Sequence, residues 1–384
     1  MIVSKKSNKT EHSGLVVVDK PLGVTSHDVV AAMRGALHMR RVGHAGTLDP
    51  QASGVLVIGF GYGTRLLNYI VDHTKSYEAT IRLGQASTTD DSEGEVRTVA
   101  PSVLVDEELQ STPDGERKKN GNVRMLTLQE IEQVISDHLT GDIQQVPSSY
   151  SAVRVNGRHA YELARQGKDV ELDARPVTIN EFTVLHVHNA VAVANGGDPG
   201  NSARTIPVID VDVRVGCSTG TYIRSLGRDL GRLLGVGGYL TKLRRTRVGQ
   251  FDLEDSQLAC RVVTAHAEPR AFTNRDGVTM TLNRAVLDIE AEELADRSLT
   301  MFEAVQRTMP VIAVSDEDAS DLRFGCRLPI SLPVEANSDS SIEVGEEGVG
   351  DGIAAAYQPQ TGEVVGIVQS VGAHELKPVV VFPG

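Results

Sequence analysis

The chain has 384 residues, too many for one small domain and in keeping with two or three. Hydrophobic residues make up 40% and charged residues 23%, which excludes a disordered polyelectrolyte, and the apolar runs Leu15–Val18 and Val55–Ile58 fall far short of the ~20 residues of a membrane helix. A net charge of −13 argues against a uniformly basic nucleic-acid binder, unless the acids are concentrated in a few segments.

They are so concentrated. Residues 1–13 read as a flexible N-terminus, with no apolar leader after the first lysines and so no secretory signal. Gly14–Asp19 reads as a short buried strand ending in a Lys20-Pro21 turn. Thr25-Ser26 can cap a helix over Asp28–Leu37, with Val29, Val30, Met33 and Leu37 on one face. Gly54–Gly59 encloses a short apolar run, and Thr64–Ile70 has helical spacing. Ser76–Leu83 alternates Tyr77, Ala79, Ile81 and Leu83, the pattern of a half-buried strand. Residues 97–122 carry Asp106, Glu107, Glu108, Asp114 and Glu116 among prolines and glycine, and read as a solvated loop. Thr127–Leu139 is an amphipathic helix with a Thr127–Glu130 capping box. A second polar insertion spans 189–204, and Pro207–Val215 alternates as a strand. Thr221–Leu234 is helical, with Ile223, Leu226, Leu230 and Leu233–Leu234 facing inward. Glu268–Gly277 and Glu335–Gly352 are soft, polar stretches; between and after them lie only short strands, Val311–Val314, Ile353–Tyr357, Val364–Val371 and Val379–Phe382. Regular βαβ alternation is lacking, so the class is α+β, with a small β-rich domain at the C-terminus.

Against the acidic insertions stands one basic segment. Arg214–Arg247 holds eight basic residues and a single acid, Asp229. A local basic face of this kind suits a polyanion. The three cysteines, Cys217, Cys260 and Cys326, stand far apart without a CxxC pair, which excludes a disulfide framework and a zinc ribbon and suits a reducing cytosol. No spacing suggests a metal site. The glycine run from Gly59 to Gly63 lacks both the Walker lysine and the G-x-G-x-x-G spacing.

Four segments carry candidate chemistry. They are Gly14–Ser26, with Asp19-Lys20-Pro21; Gly43–Leu56, with His44 and Asp49-Pro50; Lys75-Ser-Tyr77-Glu78; and Gly220-Thr-Tyr222-Ile-Arg224, which runs on to Leu243-Arg244-Arg245. Asp49 precedes a proline and is held extended. With glycines on either side, the loop presents a carboxylate and an imidazole five residues apart, free of helical or strand restraint. A lone Asp-Pro is usually a turn and a lone histidine usually structural. Only the ordered set says more.

Together with Val146–Gly157, the set resembles the signature motifs of the TruB family of bacterial tRNA pseudouridine-55 synthases, over about residues 14–95 and 141–251. The resemblance implies a pseudouridine synthase fold over 14–290, a mixed and mostly antiparallel sheet flanked by helices. It implies a PUA-like RNA-binding domain over 305–384. By the same resemblance Asp49 is the nucleophile, and Arg224 pairs with it. Tyr77 stacks on the target base and is a candidate proton acceptor. Tyr222 shares the Tyr-Ile-Arg motif with Arg224, and Leu243 lines the uracil pocket. His44 takes the place of the extruded nucleotide, while Lys20 and Pro21 are structural. The implied partner is tRNA, through its T arm and loop. No membrane and no obligate protein partner are implied, so the chain would be a monomer in the cytoplasm.

The residue chemistry agrees. Turning uridine into its C-glycoside involves no net redox change, so a carboxylate, a tyrosine and an arginine can suffice without a cofactor. A guanidinium beside Asp49 would keep it ionised. The target nucleotide must be flipped out, at a cost that stacking offsets. Arg228, Arg232, Lys242, Arg244, Arg245 and Arg247 would supply phosphate contacts. Attack at the sugar C1′, elimination to a glycal and addition at uracil C6 all fit the residues. A tRNA-folding chaperone would use the same basic face, but has no need of Asp49, Tyr77 and Arg224 together. A guide-RNA-dependent relative would carry basic tails, which Val379–Gly384 is not.

Overall fold

The structure, a computed structural model, describes residues 12–105, 123–151, 153–155, 157–167, 170–194, 204–273, 277–329, 334–335, 352–371 and 375–383. The acid-rich stretches 106–122 and 336–351, and most of the 189–204 insertion, lie outside them. Two compact units divide the chain: residues 1–49, 55–71 and 249–384 form the first, and 50–54 with 72–248 the second. Among the described residues no helix is long and apolar enough to cross a membrane.

In the first unit, neighbouring strands run in the order Thr279–Leu287, Val263–Thr273, Gly14–Lys20 and the 55–60 part of Ala52–Phe60, with Val42–Ala45 antiparallel to the last. Gly14–Lys20 pairs parallel with Val263–Thr273 through Val18 and Asp19. Successive β-branched residues make Gly14–Lys20 buried on both faces, as in a strand covered by other elements. The helix Ser26–Ala36 starts where the sequence places it. Thr25 accepts from the Asp28 N–H, and the Asp28 carboxylate returns to the Thr25 N–H. Its Val29, Val30 and Met33 pack with Val16, Val18, Leu56 and Ile58 into one core.

The C-terminal part of this unit is a six-stranded sheet, in the order Leu328–Pro329, Glu375–Val381, Glu363–Val371, Ile353–Gln358, Val311–Ala313, Val334–Glu335. It also contains a helix, Asp316–Arg323, capped by Ser315, where the sequence pattern had shown strands only. Three acids in its first turn suit a helix N-terminus and conceal its two core residues, Ala319 and Leu322. The stretch from Glu268 is another correction. Val263–Thr273 and Thr279–Leu287 form a regular antiparallel hairpin, in register from Ala265–Leu287 to Thr273–Thr279.

In the second unit the strand order is Ala52–Gly54, Gly238–Val248, Lys75–Leu83, Thr205–Cys217, Arg175–Val193, Gly141–Gln145. The first pair is parallel and the rest antiparallel, so the architecture is α+β with mixed sheets. The helix Ile223–Leu233 lies on this sheet. A Cβ at Gly231 would stand 2.1 Å from the Gly238 nitrogen, so only glycine allows that approach. Leu226 and Leu230 are buried, but Leu233, expected to face inward, is 36% exposed; Leu234 takes the buried position. The insertion read as a loop from 97 includes a strand, Val103–Val105, paired parallel with Arg124–Leu126, and its Val103 is fully buried. Thr127 caps Leu128–His138, yet the Glu130 carboxylate goes to Arg124 at 2.5 Å and not back to the cap.

Candidate active site

In the first unit, Asp49 lies at the end of a loop whose preceding residue is clamped. The Ser26 hydroxyl accepts from the Leu48 N–H at 2.8 Å and donates to the Leu48 carbonyl at 3.1 Å. One buried side chain at the start of a helix thus fixes both backbone groups next to the carboxylate. Asp49 itself is half-buried. His44 is not in free loop as expected. It belongs to the strand Val42–Ala45, opposite Ile58, and meets the His27 ring edge-on at 6.2 Å. Lys20 is fully buried and donates to the carbonyls of Pro21 and Val24, both at 2.8 Å, so it shapes the turn that leads into Ser26.

In the second unit, Tyr77 lies on Lys75–Leu83 and is 7% exposed. Its cross-strand neighbours are Val215 and Arg245. Side chains alternate along a strand, so Leu243 and Arg245 share the Tyr77 face, and Arg244 points to the other. Arg244 stands opposite Glu78, which pairs with Arg214 at 3.1 Å. Arg245 is 1% exposed, so it does not fit the surface phosphate contact expected of it. The close parallel pairing of Arg245 with Gly54 explains that glycine. Its φ is +105°, and a Cβ there would meet the Arg245 carbonyl at 2.0 Å.

Tyr222 precedes the helix, and Gln145 brackets it. Gln145 accepts from the Tyr222 N–H at 2.8 Å and donates to the Tyr222 carbonyl at 3.1 Å. Arg224 follows on the first turn. It donates to the carbonyls of Thr89 at 3.0 Å and Tyr150 at 2.9 Å, and lies 3.3 Å from the Asp91 carboxylate. Asp91 in turn accepts from the Thr89 hydroxyl at 2.5 Å and the Glu93 N–H at 3.0 Å. Sequence reasoning missed Asp91 and Gln145. Neither a single aspartate nor a lone glutamine carries a local pattern that marks a partner so distant in sequence.

Electrostatics around the Tyr77 strand are unusual. Burial, then the nearby Arg245, lowers the Lys75 ammonium to about 8. Burial pushes the Cys217 thiol up to about 11. Lys75 is two residues before Tyr77, and Cys217 stands opposite Lys75 on the next strand. Among the described residues, no cluster of three or more His, Cys, Asp or Glu side chains could hold a metal ion.

The TruB family pseudouridylate synthase N-terminal domain model matches residues 34–114 and 104–223, and the tRNA pseudouridylate synthase B C-terminal domain model matches 224–291. The chain belongs to the TruB family. His44, Asp49, Tyr77 and Tyr222 fall in the N-terminal match of that family, and Arg224, Leu243, Arg244 and Arg245 in the C-terminal one. A tRNA pseudouridine synthase B of Bifidobacterium longum (strain DJO10A) is 47% identical over 97% of this chain and 99% of its own length. One from Arthrobacter sp. (strain FB24) is 41% identical over 96% of each. Among solved structures, a chain of an H/ACA RNP bound to a substrate RNA containing 2′-deoxyuridine is similar with a TM-score of 0.57 and 22% identity, covering 97% of this chain and 85% of that one. A chain of a Cbf5–Nop10–Gar1 complex is similar with the same TM-score and 24% identity, covering 97% and 84%. At these identities the likeness is one of fold.

Proposed function

We propose that the protein isomerises uridine-55 in the T loop of tRNA to pseudouridine. The observation that carries this reading is the 47% identity to a tRNA pseudouridine synthase B over nearly the full length; the resemblance of the segments that hold Asp49, Tyr77 and Arg224 to the family's motifs supports it. In the reaction the N1–C1′ bond breaks, the uracil turns, and a C5–C1′ bond forms. The C5 proton leaves and N1 gains one, so atoms balance without a cofactor.

Asp49 is the nucleophile in this reading. The clamped Leu48 backbone supports the role, because a carboxylate that must meet one atom gains from a fixed approach. Arg224 is a buried cation, held 3.3 Å from the Asp91 carboxylate. Tyr77 stacks on the flipped base and is the proton acceptor from C5. Tyr222 and Leu243 complete the uracil site, and His44 fills the place the base leaves. Arginines with solvent access contact phosphates, the half-buried Arg244 among them. The protein would act on tRNA alone, as a cytoplasmic monomer, with 305–384 as a PUA-like RNA-binding domain.

The test is incubation with an unmodified tRNA transcript, with pseudouridine mapped by carbodiimide-dependent primer-extension stops. A stop at position 55 and at no other uridine is expected. The Asp49→Asn variant should give no product while binding tRNA within about tenfold of wild type, because binding is spread over many contacts. Product from that variant would remove the nucleophile assignment. A stop elsewhere would remove the position-55 assignment.

A further inference from the structure

Arg224 and Arg228 sit one helical turn apart on Ile223–Leu233, on the same face. Both reach the segment Thr89–Asp91. Arg224 holds the Thr89 carbonyl and the Asp91 carboxylate. Arg228 holds the residue between them: its Nη1 lies 3.2 Å from the Asp90 carboxylate, and its Nη2 donates to the Val146 carbonyl at 2.8 Å. Its remaining reach goes to the neighbouring Asp229 at 3.2 Å. These bonds leave Arg228, 29% exposed, poorly suited to the phosphate contact expected from charge alone.

Asp90 is held in a conformation that side chains rarely adopt. Its φ is +62°, and among the described residues only His38 shares a positive φ without being glycine. The Asp90 carbonyl accepts from the Leu240 N–H at 3.0 Å, and Asp91 forms an isolated bridge with Leu240. Burial raises the Asp90 carboxyl above its ordinary value despite the opposing pull of Arg228. The charged groups facing it are Arg228, Arg224 and Asp229. A left-handed backbone and a buried carboxylate both cost stability. Such costs persist where the surrounding structure enforces them, often at functional sites.

We infer that the Asp90–Arg228 pair is a positioning device for Arg224: it locks the left-handed turn that aims the Thr89 carbonyl and the Asp91 carboxylate at the Arg224 guanidinium. The pair acts through Arg224 and does not touch substrate. Its link to catalysis rests on the function proposed above; its structural content does not.

Asp90→Asn is the discriminating variant, because asparagine tolerates the same left-handed backbone while losing the charge. Its single-turnover rate constant on an unmodified tRNA transcript should fall by about tenfold or more, since small misplacements of a catalytic group cost up to ~100-fold. The tRNA Kd should stay within about twofold, and the thermal midpoint should not fall, because the buried charge is gone. Arg228→Gln should slow the chemistry similarly, and the double variant no further, as expected of groups that act as a unit. Arg228→Lys should recover part of the rate.

Hydrogen exchange, read by mass spectrometry, tests the device without reference to turnover. Exchange over 87–93 and at Leu240 should quicken in Asp90→Asn. Unchanged exchange overturns the inference even if the wild-type chain proves inactive on tRNA. So do a wild-type rate in Asp90→Asn, or losses that multiply in the double variant. A flattened salt dependence of binding in Arg228→Gln, with no change in Asp90→Asn, would make Arg228 a phosphate contact instead.

Discussion

Ser26 is a small residue with a large lever. Its hydroxyl is the partner of both the N–H and the carbonyl of Leu48, one residue before Asp49. Replacing it with alanine leaves two backbone groups unsatisfied in a buried place. That should cost about 1–3 kcal/mol of stability. It should also loosen Asp49. For Ser26→Ala the thermal midpoint should fall and the turnover number should fall with it, while the tRNA Kd stays close to wild type. An unchanged turnover number in folded protein would show that Asp49 is held by other means. The sequence places Ser26 within a motif and suggests a cap, but Thr25 is the cap that the helix uses. The bond from Ser26 to Leu48 spans 22 residues, and no local pattern encodes such a contact.

Strands were legible as elements, and the consequences of their pairing were not. The Tyr77 strand alternates as read from the sequence, and Lys75, Tyr77 and Ala79 share a face. Which residue stands opposite depends on register, and two irregularities in the pairing with Gly238–Val248 make that register unreadable from sequence. Hence Arg244 and Arg245 read as one basic pair, although they face opposite sides of the sheet. The hairpin from Val263 was missed because Pro269 and Glu268 look like loop, yet that pairing tolerates both.

Lys75 yields a prediction on the same strand. Its ammonium is lowered to about 8 by burial and then by Arg245. In the unfolded chain a lysine keeps its ordinary value of about 10.4. Between these two values the unfolded state binds the extra proton, so this group makes stability rise with pH across that window. Below it the burial cost is constant. Lys75→Met should therefore raise the thermal midpoint at pH 7, with the gain shrinking from about pH 8 toward pH 10. Cys217, raised to about 11 by burial, acts in the opposite sense and interacts with Lys75, so the comparison is made in a Cys217→Ala background, where the difference isolates Lys75. A gain that does not change with pH would mean that the ammonium is not the cause.

On the scale of the whole molecule, a chain of net charge −13 has to attract a polyanion. Much of the excess lies in one stretch: residues 336–351 carry five acids and no base. Screening at physiological salt confines fields to about 8 Å. Acids away from the RNA face therefore weaken long-range steering and hardly touch the bound state. Neutralising Asp339, Glu343, Glu346, Glu347 and Asp351 to their amides should speed tRNA association at low salt, as a less negative chain attracts a polyanion from further away. The bound state should instead report which arginines meet phosphate. Arg244→Ala should flatten the slope of log affinity against log salt by up to ~0.9 for one lost duplex-like contact. Arg245→Ala should leave that slope alone and lower the thermal midpoint, because its side chain is 1% exposed and releases no counterion on binding. A salt titration of tRNA binding for both variants, with thermal melts alongside, separates the two roles. If Arg245→Ala flattens the slope as much as Arg244→Ala does, then binding must bring Arg245 out of the sheet to meet RNA, and the burial argument fails.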